Sequence, residues 1–401
     1  MAEENKNFNF ENEQERISEV NSLQELLERM SGIQYEEDRP QEDSGLVDQP
    51  PFPFLALVGQ KEMKLALLLS LVNPNLGGVL LIGPRGTGKT TAVRGLVDLL
   101  PNVKTSLCHF GCLEDDIESG GIDAVCPACA QKYGQGKPLS KPEKVKLVEL
   151  PLNALLEDVV GGLDPRAEMH ERMRLKRGIL SYADRNLLYV DEVNMLSDDV
   201  VDAILDAAAQ GQFTVRRGAV SATYRSDFAL IGSMNPEEGN LRPQILDRFG
   251  LRVIVKGLET KSERLEAYQR SRAYKINPRG FVDQFANETL ALREEIQLCR
   301  DALEDVTLPE EIAEAGLKLV EELGIDSLRA EITLFESARA HAVSDAREEV
   351  TFSDLRTVAP LALRFRRSQF MVDYLEGRHN ESKRFMETLE DIFPENLAKK
   401  E

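Results

Sequence analysis

The residues best equipped for chemistry fall into separate groups along the chain. Gly83-Pro-Arg-Gly-Thr-Gly-Lys-Thr90 has the G-x4-G-K-T spacing of a phosphate-binding loop. Its glycines let backbone N–H groups close round phosphate oxygens, and a helix N-terminus behind it adds a favourable dipole. On this reading Gly83, Pro84, Arg85, Gly86, Thr87, Gly88, Lys89, Thr90 and Thr91 hold a nucleotide. Lys89 reaches the β- and γ-phosphates, and the Thr90 hydroxyl holds Mg²⁺. The second group is Asn186-Leu-Leu-Tyr-Val-Asp-Glu192, an apolar run ending in two acids. Asp191 there suits the Mg²⁺ shell, and Glu192 suits polarising an attacking water. Asn235 ends another apolar run, Phe228 to Met234. A neutral amide there can hydrogen-bond the γ-phosphate or the water and so register which nucleotide is bound. Arg248, beside Asp247 and just past a short helix, could complete the active site of a neighbouring subunit.

A further group is Cys108-x3-Cys112 and Cys126-x2-Cys129, two metal-knuckle pairs separated by thirteen residues. Gly111 and Pro127 suit tight turns. Four thiolates can enclose a structural Zn²⁺, with His109 able to replace one of them. An iron–sulfur cluster, redox thiols and unligated thiols are the other readings. Cys299 stands alone in a helical pattern and reads as core.

The elements that must position these groups can be read around them. Gly78 to Ile82 reads as a buried parallel strand before the loop, and Thr91 to Leu100 as a helix stopped by Pro101. Acids at the C-terminal end of a buried parallel strand belong at the ligand crevice of an open sheet. Leu57-Val-Gly-Gln60, before an apolar helix from Met63 to Leu71, is placed to hold adenine. Val145 to Leu150 reads as a strand and Val200 to Gln210 as an amphipathic helix closed by Gly211. Phe213 to Tyr224 alternates round Arg217-Gly218 as a β-hairpin. The rest reads as helices: a linker over 262–285, then 287–303, 309–323, 327–344 and 353–370. Pro309 suits a first helical turn, and Ser327 and Ser353 suit N-caps. The basic run Arg364, Arg366 and Arg367 reads as a solvated face, or as a surface meeting a neighbour.

The chain has 401 residues and a net charge of −20. That balance repels nucleic acid, and no apolar run approaches a membrane span. The N-terminal residues 1–50 carry fourteen acidic and four basic residues and read as a largely disordered extension. Ile17, Val20, Leu23, Leu27 and Met30 mark one amphipathic helix in it, lying on the body or serving as a docking arm. The expected location is cytoplasmic, because no secretory or transit-like signal is present.

Taken together, Phe52 to Gln60, Gly83 to Thr90, Leu187 to Asn194, Gly232 to Gly239 and Leu241 to Leu251 resemble an AAA+ ATPase, and within it the I subunit of magnesium chelatase. The resemblance covers about residues 52–256. It implies an α/β P-loop core with a parallel sheet and helices on both faces, over 51–258. A cysteine insertion falls at about 105–140 and the hairpin at 213–224. Linker helices over 259–300, an all-helical lid over 301–375 and a charged tail over 376–401 complete the chain. It further implies Asn235 as sensor 1, Arg248 as an arginine finger acting in trans, and Arg329 as sensor 2 contacting the γ-phosphate from the lid; a surface arginine is the alternative for Arg329. ATP and Mg²⁺ are the implied ligands. A homo-hexameric ring, an integrin-type metal-site subunit and a large porphyrin-binding subunit are the implied assembly. Hydrolysis would drive Mg²⁺ insertion into protoporphyrin. A MoxR-type chaperone that remodels or metallates a partner is the other expectation, and a helicase-loader role fits the acidic charge poorly.

Overall fold

Five short apolar runs assemble into one parallel sheet that carries the chemistry at a single edge. The computed structural model describes residues 49–108, 110–163, 175–218, 220–239, 241–325, 327–366 and 388. The N-terminal helix expected over 17–30, His109, Arg367 and the charged tail lie outside the described residues, apart from Thr388.

In chain order, α1 (Lys61–Val72) precedes β1 (Val79–Ile82), the phosphate loop and α2 (Lys89–Leu96). The cysteine insertion follows. It is bracketed by the antiparallel pair β2 (Val103–Ser106) and β3 (Ser140–Glu143), and it contains α3 (Glu114–Gly120) and α4 (Pro127–Gly134). Next come β4 (Leu147–Leu150), α5 (Leu156–Val160), β5 (Gly161–Leu163), β6 (Leu175–Arg177) and α6 (Ile179–Ala183). Then follow β7 (Leu187–Val190), α7 (Asp198–Gln210), the hairpin β8 (Gln212–Arg217) and β9 (Val220–Arg225), and β10 (Ala229–Met234). The core ends with α8 (Pro243–Arg248) and β11 (Leu251–Ile254). The helical remainder is α9 (Lys261–Ile276), α10 (Pro278–Asp283), α11 (Ala286–Ala302), α12 (Glu310–Glu322), α13 (Leu328–Ser344) and α14 (Phe352–Leu363).

The sheet order is β11-β1-β10-β7-β4, parallel throughout. β1 and β7 are buried at every position, as strands covered by helices on both faces must be. Alternate side chains serve opposite faces. Leu81, Leu187 and Tyr189 join the core formed with α1 and α2, whereas Leu80, Leu188 and Val190 join the core formed with α7 and α8. Residues of α11 to α14 enter the first of these cores, so the helical region packs on the α1 and α2 face of the sheet. Cys299 is buried there, its thiol directed at the Val343 carbonyl 3.6 Å away.

Several local expectations shift. The cap of α14 is Thr351, in a capping box with Asp354, rather than Ser353. Asp354 is fully buried and also takes Arg347 at 2.6 Å and His341 at 2.5 Å, a set of bonds that a cap at Ser353 would break. The helix stops at Leu363 because Arg364 is extended and Phe365 adopts a positive φ of 60°. Pro309 is the N-cap of α12, one residue before its first turn. The short antiparallel pair β5–β6 has no counterpart in the sequence reading, since three-residue strands leave too little alternation to see.

Candidate functional site: the nucleotide crevice

The phosphate loop follows β1, Asp191 follows β7 and Asn235 follows β10, and these three strands are direct neighbours. Their C-terminal ends therefore bring Lys89, Asp191, Glu192 and Asn235 to one edge, where an open α/β sheet holds its ligand.

Gly86 and Gly88 have φ of 78° and 87°, and a Cβ added to either would point into open space. The loop is thus a backbone cradle with room for phosphates on its outer side. Lys89 is buried, and its ammonium donates to the carbonyls of Gly83 at 2.6 Å and Pro84 at 2.9 Å. Burial lowers its pKa, against the upward pull of Asp191, Glu192 and Glu238.

A chain of hydroxyls connects the loop to the acids. The buried Tyr189 hydroxyl donates to Asp191 Oδ1 at 2.9 Å, and it lies 3.1 Å from Thr90 Oγ1. A phenol has one proton to give, so Thr90 is the donor in that second bond. Ser233 on β10 donates to the same Asp191 oxygen and accepts the Glu192 backbone N–H at 3.2 Å. Burial raises the Tyr189 pKa, which keeps the phenol neutral and able to donate. Tyr189 and Ser233 were not singled out from the sequence. Both sit in apolar strand patterns, where Tyr and Ser read as packing.

Glu192 stands at φ 49° and ψ 54°, a conformation costing a non-glycine residue roughly 1 kcal/mol or more. This bend turns it out of the strand. Its carboxylate accepts from Arg85 of the phosphate loop at 2.9 and 3.1 Å, and Arg85 also pairs with Glu238 at 2.6 Å. Asn235 is buried, and its side-chain oxygen caps the short turn Pro236–Glu238.

Beside the loop lies a cavity of about 420 Å³. Leu57, Val58, Gln60 and Met63 line it, together with Gly86 to Gly88 and Thr91. Its far wall is α9, through Arg264, Ala267, Arg270 and Ser271. Arg270 donates to the Ala56 carbonyl at 2.9 Å and so fastens α9 over the cavity. The sequence placed adenine at Leu57 to Gln60, which does line this cavity; α9 as its wall was not foreseen.

Arg248 and Arg329 lie elsewhere, and neither lines the cavity. Arg248 is the last residue of α8 rather than just past it. It pairs with Asp206 at 2.9 Å and Asp202 at 3.3 Å, both on α7. Arg329 is more than half exposed and lies 3.8 Å from Asp247. Asp247 also accepts from Arg366 at 2.7 Å and Ser327 at 3.2 Å, with Arg252 3.7 Å away. Arg364 meets Glu62 at 2.9 Å. Arg364 and Arg366 of the basic run are therefore not a solvated face: the Arg366 side chain is fully buried and ties the end of the helical region to α8. Burial weighs against the charges of Arg252 and Arg366, and Asp247 offsets it. Asp247→Ala should therefore cost about 3–5 kcal/mol, because it leaves buried guanidiniums without their carboxylate. Urea denaturation checks this, and a loss within about 0.5 kcal/mol, typical of surface sites, contradicts it.

In the insertion, the sulfurs of Cys108, Cys112, Cys126 and Cys129 all lie within 4.8 Å of one another. Cys108 Sγ is 3.7 Å from that of Cys112 and 3.6 Å from that of Cys126. The backbone N–H groups of Phe110 and Cys126 point at Cys108 Sγ and Cys112 Sγ, each at 3.3 Å. Glu114 closes the fold by accepting from Leu139 N–H at 2.6 Å and Ser140 N–H at 3.0 Å.

A parallel sheet with a phosphate loop, two acids on the strand beyond the neighbouring one and a helical domain behind defines a P-loop ATPase of the AAA+ class. A profile described as "Magnesium chelatase, subunit ChlI" matches residues 169–245, and one described as "AAA lid domain" matches 317–384. A "Magnesium-chelatase subunit ChlI homolog" of Methanocaldococcus jannaschii is 42% identical over 329 residues, which span 81% of this chain and 88% of that one. The "Magnesium-chelatase 38 kDa subunit" of Acidiphilium rubrum is 43% identical, over 79% of this chain and 90% of its own length. Among solved structures, a complex of subunits BchI and BchD of magnesium chelatase contains a chain 38% identical, with 78% of this chain and 95% of that chain covered and a TM-score of 0.45. The chain belongs to the magnesium chelatase I subunit family, and it is an AAA+ ATPase subunit of that type.

Proposed function

We infer that this chain is the motor subunit of a magnesium chelatase-type complex, coupling hydrolysis of Mg²⁺-bound ATP to insertion of Mg²⁺ into protoporphyrin IX. The observation that carries the ATPase half is the Thr90–Tyr189–Asp191–Ser233 chain of bonds, which fixes a hydroxyl and a carboxylate at the edge of an open phosphate cradle. Thr90 and Asp191 would hold the Mg²⁺ of the nucleotide, whose charge neutralises the phosphates. Lys89, already stripped of water, would exchange its carbonyl partners for phosphate oxygens. Glu192 would take the proton of the attacking water once Arg85 releases it. Asn235 would report on the γ-phosphate.

Arg248 and Arg329 act in trans on this reading. Both are anchored at α8 or at its Asp247, apart from the chain's own nucleotide cavity. They would form the face offered to the next subunit in a ring, six-membered by family resemblance. An integrin-type subunit and a large porphyrin-binding subunit would receive the work of the ring. Among the described residues no helix is long and apolar enough to cross a membrane, and we place the assembly in the cytoplasm.

The insertion would hold one structural Zn²⁺. A tetrahedral ion with bonds of about 2.3 Å separates its four sulfurs by about 3.8 Å, close to the 3.7 and 3.6 Å from Cys108 Sγ to those of Cys112 and Cys126. A multi-iron cluster needs them farther apart.

Combining the chain with those two partner subunits, Mg²⁺, ATP and protoporphyrin should yield the Mg-porphyrin, read by its fluorescence. Product formed equally well without ATP or without this chain contradicts the assignment. Tyr189→Phe removes the bond that orients Asp191 and the acceptor for Thr90. Half-maximal turnover should then need at least ~10-fold more Mg²⁺, as when an outer-shell partner of a metal ligand is lost. An unchanged Mg²⁺ titration would show that Tyr189 only packs.

A further inference from the structure

We propose that the four-cysteine knuckle, loaded with metal, is the brace that holds the β8–β9 hairpin in place. This rests on reading Cys108, Cys112, Cys126 and Cys129 as a metal site and says what that site does. The knuckle has little apolar core of its own. Beyond its sulfurs, the buried cluster contains Val125 and Leu139, with Ile117 and Ala130 packed against it. A unit this small needs a cross-link or a metal to stay folded.

Its contacts with the hairpin come from residues that the ligands position. Phe110 lies between Cys108 and Cys112, and its ring stacks on Tyr224 with centroids 6.0 Å apart and planes 21° apart. Tyr224 is buried and packs in turn on Phe213 across the hairpin. Asp116, four residues after Cys112, accepts from Arg225 at 2.5 Å at the base of β9. Gly111 has φ +82°, and a Cβ there would come within 3.2 Å of Arg225 Cβ, so the two segments are in close approach. Releasing the ion frees Phe110, Gly111 and Asp116 together.

The brace has a route to the shared site. β8 begins directly after α7, and α7 carries the Asp202 and Asp206 carboxylates that pair with Arg248. Loosening the hairpin therefore loosens the support of the arginine assigned to the neighbour's nucleotide.

The test uses the full chain, kept reduced. Metal analysis should find about one Zn²⁺ per chain. Chelating it under reducing conditions should speed amide hydrogen exchange in residues 212–225 by tenfold or more, the size of losing a charge-assisted hydrogen bond. Exchange in the β1 strand should stay as before, and returning Zn²⁺ should restore protection. A Phe110→Ala, Asp116→Asn double variant should keep its Zn²⁺ yet loosen the hairpin to a similar degree. Metal bound but hairpin exchange unchanged on its removal overturns the brace and leaves the metal site standing. Zinc retained with an undisturbed hairpin in the double variant overturns the contact route. Reduced protein with no metal overturns the metal site itself, and the brace with it.

Discussion

A Glu192→Gln chain should bind ATP and Mg²⁺ as the parent does and hydrolyse it at least ~10²-fold more slowly. Glutamine keeps the volume and an oxygen for Arg85, so the fold and the bend at φ 49° should persist. What it loses is the basicity needed to take a proton from water. Nucleotide binding by equilibrium titration and turnover by phosphate release separate the two effects. A variant that hydrolyses ATP normally would mean that another group handles the water. A variant that cannot bind nucleotide would mean that Glu192 supports the site rather than reacts in it.

Arg248→Ala should lower turnover by about 10³-fold or more while leaving ATP affinity within a few-fold, since an arginine finger stabilises charge that develops only during transfer. Lys89, Asp191, Glu192 and Asn235 supply a phosphate clamp, a metal ligand, a base and a sensor within one chain. None of them supplies a further cation for the equatorial oxygens. Arginine suits that task because its planar fork meets two oxygens and never loses its charge. Arg248 is paired here to Asp202 and Asp206 of α7. Full activity in Arg248→Ala would remove the finger.

The sheet and its chemistry were legible because their signals are local. A G-x4-G-K-T spacing and an apolar run ending in Asp-Glu each mark a strand end, and the structure puts those ends on one edge of the sheet. The knuckle was legible as paired spacings, but the clustering of all four sulfurs within 4.8 Å was not. Tyr189 and Ser233 could not be found because their role depends on strand order: β10 lies between β1 and β7, a non-local fact. The solvated reading of Arg366 fails for the same reason. A basic run at the end of a helix looks solvated until its half-buried partner Asp247, 119 residues earlier, is known. Placing the helical region on the α1 and α2 face also required three dimensions. Its amphipathic helices announce a packed face but not which side of the sheet receives it.

The shared site is tested most directly by mixing two inactive chains. Arg248→Ala and Lys89→Ala should each be nearly inactive alone. In mixed rings some intact phosphate loops face an intact Arg248, so ATP turnover should rise well above that of either chain and vary with mixing ratio. Mixed rings that demonstrably form, yet stay inactive at every ratio, would contradict an active site built by two subunits.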